Sequence, residues 1–327
     1  MDGEDIIAYS SYLTGTGNGL TAEELSGVAA SLPVLKKQTK SQGVLFWGKI
    51  LGLKKDILLA QTYGQDIQRD RKNYYSLDGV TWGLLPKVTP EISARSARIH
   101  ERFSGELSHE YRLFEKAPAP AEGEKPAEGE GEGEGEQEAA PADGEGEGEE
   151  GEGAVKAAFD PTADDEDMPV ERKVAPKVTV VLREEERVAA VMQAIHGDCF
   201  IIPRGAYYLS ATHQVAKNKN FNGLPAHGAY AATELSSYVH QTEATRFLKK
   251  TLLEREGLSR TLDFLDDCAG DKPAGTWSMQ YDSATSCMSL RNLSWPGHCF
   301  THRVESASHG CVYIGTGQVN RDVCFML

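Results

Sequence analysis

The chain has 327 residues, 40% of them hydrophobic, and a formal net charge of −15; that length can bury a sizeable core in one large domain or two ordinary ones. No apolar run reaches the roughly 18 residues of a membrane span, and the longest, Val44 to Leu53, is broken by Gly48, Lys49 and Gly52. The acidic start Met-Asp-Gly-Glu-Asp argues against a targeting peptide, and the negative balance argues against an overall basic field for nucleic acid, so a soluble cytoplasmic protein is expected.

In chain order, Asp5 to Leu13 and Thr21 to Lys37 read as helices separated by Thr-Gly-Thr-Gly-Asn-Gly. Thr21 with Glu24 three residues later forms a capping-box pattern, and Pro33 is expected to end or kink the second helix. Gly43 to Leu53 and Asp56 to Thr62 read as a strand pair, and Tyr74 to Leu77 with Thr81 to Leu85 as a hairpin around Asp78-Gly79. Thr89 is the N-cap and Pro90 the first position of a helix expected to reach Phe103.

The next stretch is compositionally distinct. Ala117 to Asp167 carries 19 Asp or Glu against two Lys, a balance of −17 that leaves about +2 for everything else. Up to Gly153, Ala is its only hydrophobic residue type. Nothing apolar can offset the entropy of ordering it, so this Glu/Gly-rich tract is expected to be a long disordered acidic loop. Residues 1–116 and 168–327 are then expected to be two halves of one domain, since either alone would expose much of its strands' apolar faces.

Beyond it, Lys177 to Leu182 reads as a strand and Glu184 to Ile195 as a helix with Val188, Val191, Met192 and Ile195 on one face. Cys199 to Leu209 reads as a strand, and Thr233 to Gln241 and Ala244 to Glu254 as helices. Thr276 to Tyr281, Cys287 to Leu293, Cys299 to Val304 and Cys311 to Gly315 read as a closing meander, with Trp295-Pro296-Gly297 as a tight break. The fold class expected is α+β: a mostly antiparallel sheet with N-terminal and flanking helices.

Candidate chemistry is sparse. Gly15 to Gly19 superficially resembles a phosphate-binding turn but has no lysine and follows a predicted helix rather than a strand. His298, Cys299, His302, His309 and Cys311 are plausible zinc-ligand types in no standard zinc spacing; a strand would put Cys299 opposite His298 and His302. They are therefore read as ordinary strand and loop residues, with a metal-binding or enzymatic domain built on them as the alternative. Asp266-Asp267 reads as a solvated loop pair, and the six cysteines as reduced, buried thiols. Phe46, Trp47, Tyr74, Tyr75, Trp82, Trp277 and Trp295 read as core or interface anchors. No catalytic, cofactor-binding or metal residue is assigned, and no enzyme activity is expected.

Several blocks carry a resemblance. VLFWGKILGL (Val44 to Leu53), YYSLDGVTWGLLPKVTPE (Tyr74 to Glu91) and FSGEL (Phe103 to Leu107) resemble segments of the radial spoke head protein family. FIIPRGAYY (Phe200 to Tyr208), LSSYVH (Leu235 to His240), KTLLE (Lys250 to Glu254), Gly275 to Trp295, GCVYIGTG (Gly310 to Gly317) and the terminal Phe325-Met326-Leu327 continue the match in order. The acidic tract departs from it. Length outside that tract and the ending favour the shorter branch over head proteins 4 and 6. The resemblance implies a structural subunit of the axonemal radial spoke head in cilia and flagella, with no chemistry of its own. It implies partners among head proteins 4 and 6, MORN-repeat head proteins and the spoke stalk, with transient central-pair contact. It further implies a part in spoke head assembly and in mechanical signalling to the dynein-driven doublets.

Overall fold

A computed structural model describes residues 6–7, 19–116, 177–228 and 230–326. The chain divides into two units, residues 1–113 with 181–327, and residues 114–180. The expected acidic loop lies outside the described residues, as does the first predicted helix apart from Ile6 and Ile7, which are helical.

The first helix described in full, α1 (Ala22–Thr39), opens on the capping box read from the sequence: Thr21 Oγ1 accepts from the Glu24 amide at 3.2 Å, and the Glu24 carboxylate accepts from the Thr21 amide at 2.9 Å. Pro33 lies inside it and does not end it. Proline removes one amide donor from the helix, and burial of Val28, Leu32 and Leu35 against the sheet offsets that loss.

Strands β1 (Gly43–Ile50) and β2 (Ile57–Tyr63) pair antiparallel, with a bulge between Phe46 and Gly48. The bulge reverses the alternation of β1. Val44 and Phe46 face α1, Trp47 and Ile50 join the core on the other side, and Lys49 returns to the α1 side. Strand β3 (Arg71–Ser76) pairs with β2 and with the short β4 (Gly83–Leu84), so the expected hairpin forms with an earlier start. Helix α2 (Pro90–Ser96) is capped by Thr89 as expected but stops well before Phe103. After Ser96 the chain unwinds through tighter turns, which frees Phe103 to be fully buried in the core.

Strands β5 (Glu110–Lys116) and β6 (Lys177–Arg183) form a two-stranded ribbon; β5 had no signal in the sequence reading. Helix α3 (Glu184–Cys199) buries Val188, Met192 and Ile195, as its spacing predicts. The predicted strand Cys199 to Leu209 is instead the end of α3 followed by β7 (Ile201–Pro203) and β8 (Tyr207–Leu209), the latter paired with β9 (Val215–Lys217).

Two predicted helices are corrected. Thr233 to Gln241 becomes a 3₁₀ turn, Leu235–Ser237, and then β10 (Tyr238–His240), which pairs with β7. Tyr238, Val239 and His240 are buried in succession, a pattern that a strand covered on both faces satisfies. Ala244 to Glu254 becomes a 3₁₀ turn, Phe247–Lys249, and α4 (Leu252–Glu256). Here the buried Asp266 carboxylate accepts the amides of Thr245, Arg246 and Phe247 at 2.6–2.9 Å, so Asp266 is a backbone cap and not a solvated loop residue. Burial raises its pKa and those bonds more than offset the rise.

The closing meander is as expected: β11 (Trp277–Asp282), β12 (Cys287–Asn292), β13 (His298–Arg303) and β14 (His309–Gly315), all antiparallel. A short α5 (Val323–Met326) follows. The decisive pairing is parallel: β14 lies beside β1, with Gly48 opposite Tyr313. One eight-stranded sheet results, in the order β11-β12-β13-β14-β1-β2-β3-β4. It draws strands from both sides of the acidic tract, with α1 over one face and α3 over the other. The fold is α+β.

Candidate functional site

The histidines and cysteines singled out in the sequence do not meet at one point. His298, Phe300 and His302 project to the α3 side of β13, and Cys299 projects to the α1 side with Val312 and Ile314. His298 Nε2 lies 3.0 Å from Cys311 Sγ, and its ring stands edge-on to Trp277 at 5.6 Å. Burial drives His298 down to about 3 and His302 down to about 4, and pushes the thiols of Cys299 and Cys311 up to about 11 and about 12. Neutral imidazoles and protonated thiols packed among aromatic rings are core material. All six cysteines are free and five are buried; Cys324, contrary to expectation, is exposed.

The aromatic anchors hold the layers together. Trp47 stacks on Phe200 at 5.1 Å and tilts against Tyr313 at 5.7 Å. Trp82 donates to Ser31 Oγ of α1 at 2.8 Å, and Trp295 donates to Asp198 of α3 at 3.0 Å. These three indoles tie the sheet and its adjoining turns to the α1 and α3 layers. Each lies in or at the edge of a block that carries the resemblance.

Two buried charged networks escaped the sequence reading. Lys49, 5% exposed, reaches Glu24 at 2.8 Å and Asp56 at 2.7 Å. Burial lowers its pKa, and its bonds to the two carboxylates more than restore it. Glu184 is fully buried and accepts from the Gly105 amide at 2.7 Å and the Tyr111 hydroxyl at 3.0 Å. Arg187 donates to the same hydroxyl at 2.8 Å and lies 4.1 Å from the Phe103 ring centroid. The run Glu184-Glu185-Glu186-Arg187 reads in sequence as a polar helix start; nothing in it distinguishes the two buried members.

Exposed apolar side chains among the described residues include an adjacent pair beside a groove. In α4, Leu252 and Leu253 are each 82% exposed. They sit on the rim of a groove of about 710 Å³ whose apolar wall includes Leu209, Val215, Phe247 and Phe264. Adjacent leucines on a short helix cannot both face inward, which is the signal a sequence reading could have used. Among the described residues no helix is long and apolar enough to cross a membrane.

Comparison with known proteins settles the relationship. The chain is 32% identical over 327 residues to the radial spoke head protein 9 homologues of Homo sapiens and Bos taurus, covering all of each chain. The chain belongs to the radial spoke head protein 9 family. The Danio rerio homologue is 35% identical over 326 residues, 99% of each chain. No family model matches the chain. The likeness to radial spoke head protein 9 therefore covers the residues on both sides of the acidic tract that build the shared sheet.

Proposed function

We propose that this protein is a structural subunit of the radial spoke head in motile cilia and flagella, with no catalytic activity of its own. The full-length similarity to radial spoke head protein 9 homologues carries this reading. In it, the chain takes part in spoke head assembly and in the mechanical signalling that links the central pair to dynein-driven doublets. Residues 1–116 and 168–327 act as one domain, and 117–167 act as an acidic appendage to it.

The protein's partners in this reading are the related head proteins of the 4 and 6 type. A tagged chain expressed in ciliated cells should co-purify them, and no recovery by the native chain removes the reading.

A second part concerns the acidic tract, which serves as an electrostatic spacer toward the central pair. Repulsion from it fades beyond a Debye length of about 8 Å at physiological salt. Deleting Ala119 to Gly153 should leave incorporation into spokes intact and alter the salt sensitivity of beating. Loss of incorporation would make the tract a docking element instead.

A further inference from the structure

A trio of side chains outside the His298, Cys299, His302, His309 and Cys311 cluster comes together at the end of β10. His240 Nε2 lies 2.9 Å from each oxygen of Asp271. Cys268, in the 3₁₀ turn Cys268–Gly270, places its sulfur so that the three donor atoms all lie within 4.8 Å of one another. His240 is 7% and Cys268 1% exposed.

We propose that His240, Cys268 and Asp271 supply three ligands of a binding site for a zinc ion, with water in the fourth position. An imidazole, a thiol and a carboxylate are the donor types zinc takes, and a sulfur ligand disfavours magnesium and calcium. The spacing also fits. Nitrogen and oxygen ligands about 2.0 Å from a tetrahedral ion stand about 3.3 Å apart and a sulfur ligand about 3.5 Å from either, so the His240–Asp271 pair widens by a few tenths of an ångström from 2.9 Å while the Cys268 sulfur, now within 4.8 Å of both, closes on the ion. Thiolate and carboxylate together balance the two charges of the ion once Cys268 gives up its proton on binding.

The surroundings are those of a held ligand. Trp277 Nε1 donates to Asp271 Oδ2 at 2.8 Å, and Arg246 donates to Oδ1 at 2.8 Å; such outer bonds orient a metal-ligating carboxylate. With zinc in place, β10, the Cys268 turn and, through Trp277, the first strand of the meander are clipped together. Backbone bonds already join β10 to the segment before that turn, through the Val239–Asp267 bridge and the His240 amide donating to the Asp266 carbonyl at 2.9 Å, so the ion adds a side-chain cross-link to an existing seam. The site is mechanical, and it stands independently of which assembly the protein joins.

The test uses the purified full-length chain and zinc or cobalt salts alone. Elemental analysis after expression in zinc-supplemented medium should give about one zinc per chain. Removing it with a chelator should lower the melting temperature, and adding zinc back should restore it. Cobalt substitution should give a thiolate-to-metal charge-transfer band. Cys268→Ser and Asp271→Asn should each weaken zinc binding at least tenfold, while His298→Gln should not. A folded native chain that takes up no zinc overturns the proposal. So does cobalt binding without the thiolate band, which remains decisive even if the variants fail to fold. Zinc retained by both variants, or lost on His298→Gln alone, overturns it as well.

Discussion

Glu184 and Arg187, one helical turn apart at the start of α3, both engage the hydroxyl of Tyr111: Glu184 accepts from it at 3.0 Å and Arg187 donates to it at 2.8 Å. Glu184 also caps the Phe103 to Leu107 segment through Ser104 and Gly105. Residues before the acidic tract are thus fastened to the helix that follows it, by buried polar groups and not by apolar packing alone.

Removing one member of such a network leaves the others buried without a partner. Glu184→Ala should cost about 3–5 kcal/mol in urea unfolding. Glu184→Gln, which keeps an acceptor oxygen, should cost less. Equal, small losses for both would mean that the network contributes little.

Close approach at the parallel pairing predicts a contrast between two glycines. A β-carbon on Gly48 would sit 2.0 Å from the Tyr313 carbonyl oxygen, whereas one on Gly197 in α3 would meet nothing within 4 Å. Gly48→Ala should destabilise by several kcal/mol, on the order of the larger overpacking costs. Gly197→Ala should stabilise by about 0.5–1 kcal/mol through helix propensity. Thermal unfolding of the two variants side by side checks the pair.

Lys49 predicts a third outcome. Lys49→Ala leaves the Glu24 and Asp56 carboxylates without their shared cation beneath α1. With those carboxylates partly open to water, it should cost about 1–3 kcal/mol, and replacing Glu24 by Gln in the same chain should recover part of that loss. Additive losses in that double-mutant cycle would show that the pair is not coupled.

Buried histidines set the acid limit. His298 and His302 have folded pKa values of about 3 and about 4, against about 6.5 when unfolded. A depressed histidine favours the neutral folded form. The stability it contributes is fully present above pH 6.5 and is lost as pH falls toward the folded values. Chemical denaturation should therefore show stability falling below about pH 6.5, and His302→Phe should flatten that fall. A profile unchanged by the substitution contradicts it.

How much of this was legible varies with the physical cause. Capping at Thr21 and Thr89, the apolar stripe of α3 and the alternation of the meander are local patterns, and each reads directly from neighbouring residues. Placing His298 and Cys299 on opposite faces followed from the same alternation. The bulge at Trp47 is a one-residue offset that changes where Lys49 points, and it depends on pairing with β2. The segments around Tyr238 and Phe247 have helical spacing but are overridden by pairing with β7 and by the Asp266 cap, both set by distant residues. The trio of His240, Cys268 and Asp271 was missed because His240 is 28 residues from Cys268 in the chain. Motif spacing favoured the denser cluster around His298, from which the pleat removes Cys299.

Membership of the spoke head as a working subunit is tested most directly by fractionating axonemes under conditions that release spoke heads from stalks and quantifying this chain beside the other head proteins. It should leave in constant ratio with the heads. Retention on the doublets after the heads are gone, or recovery in a separate complex, would contradict it.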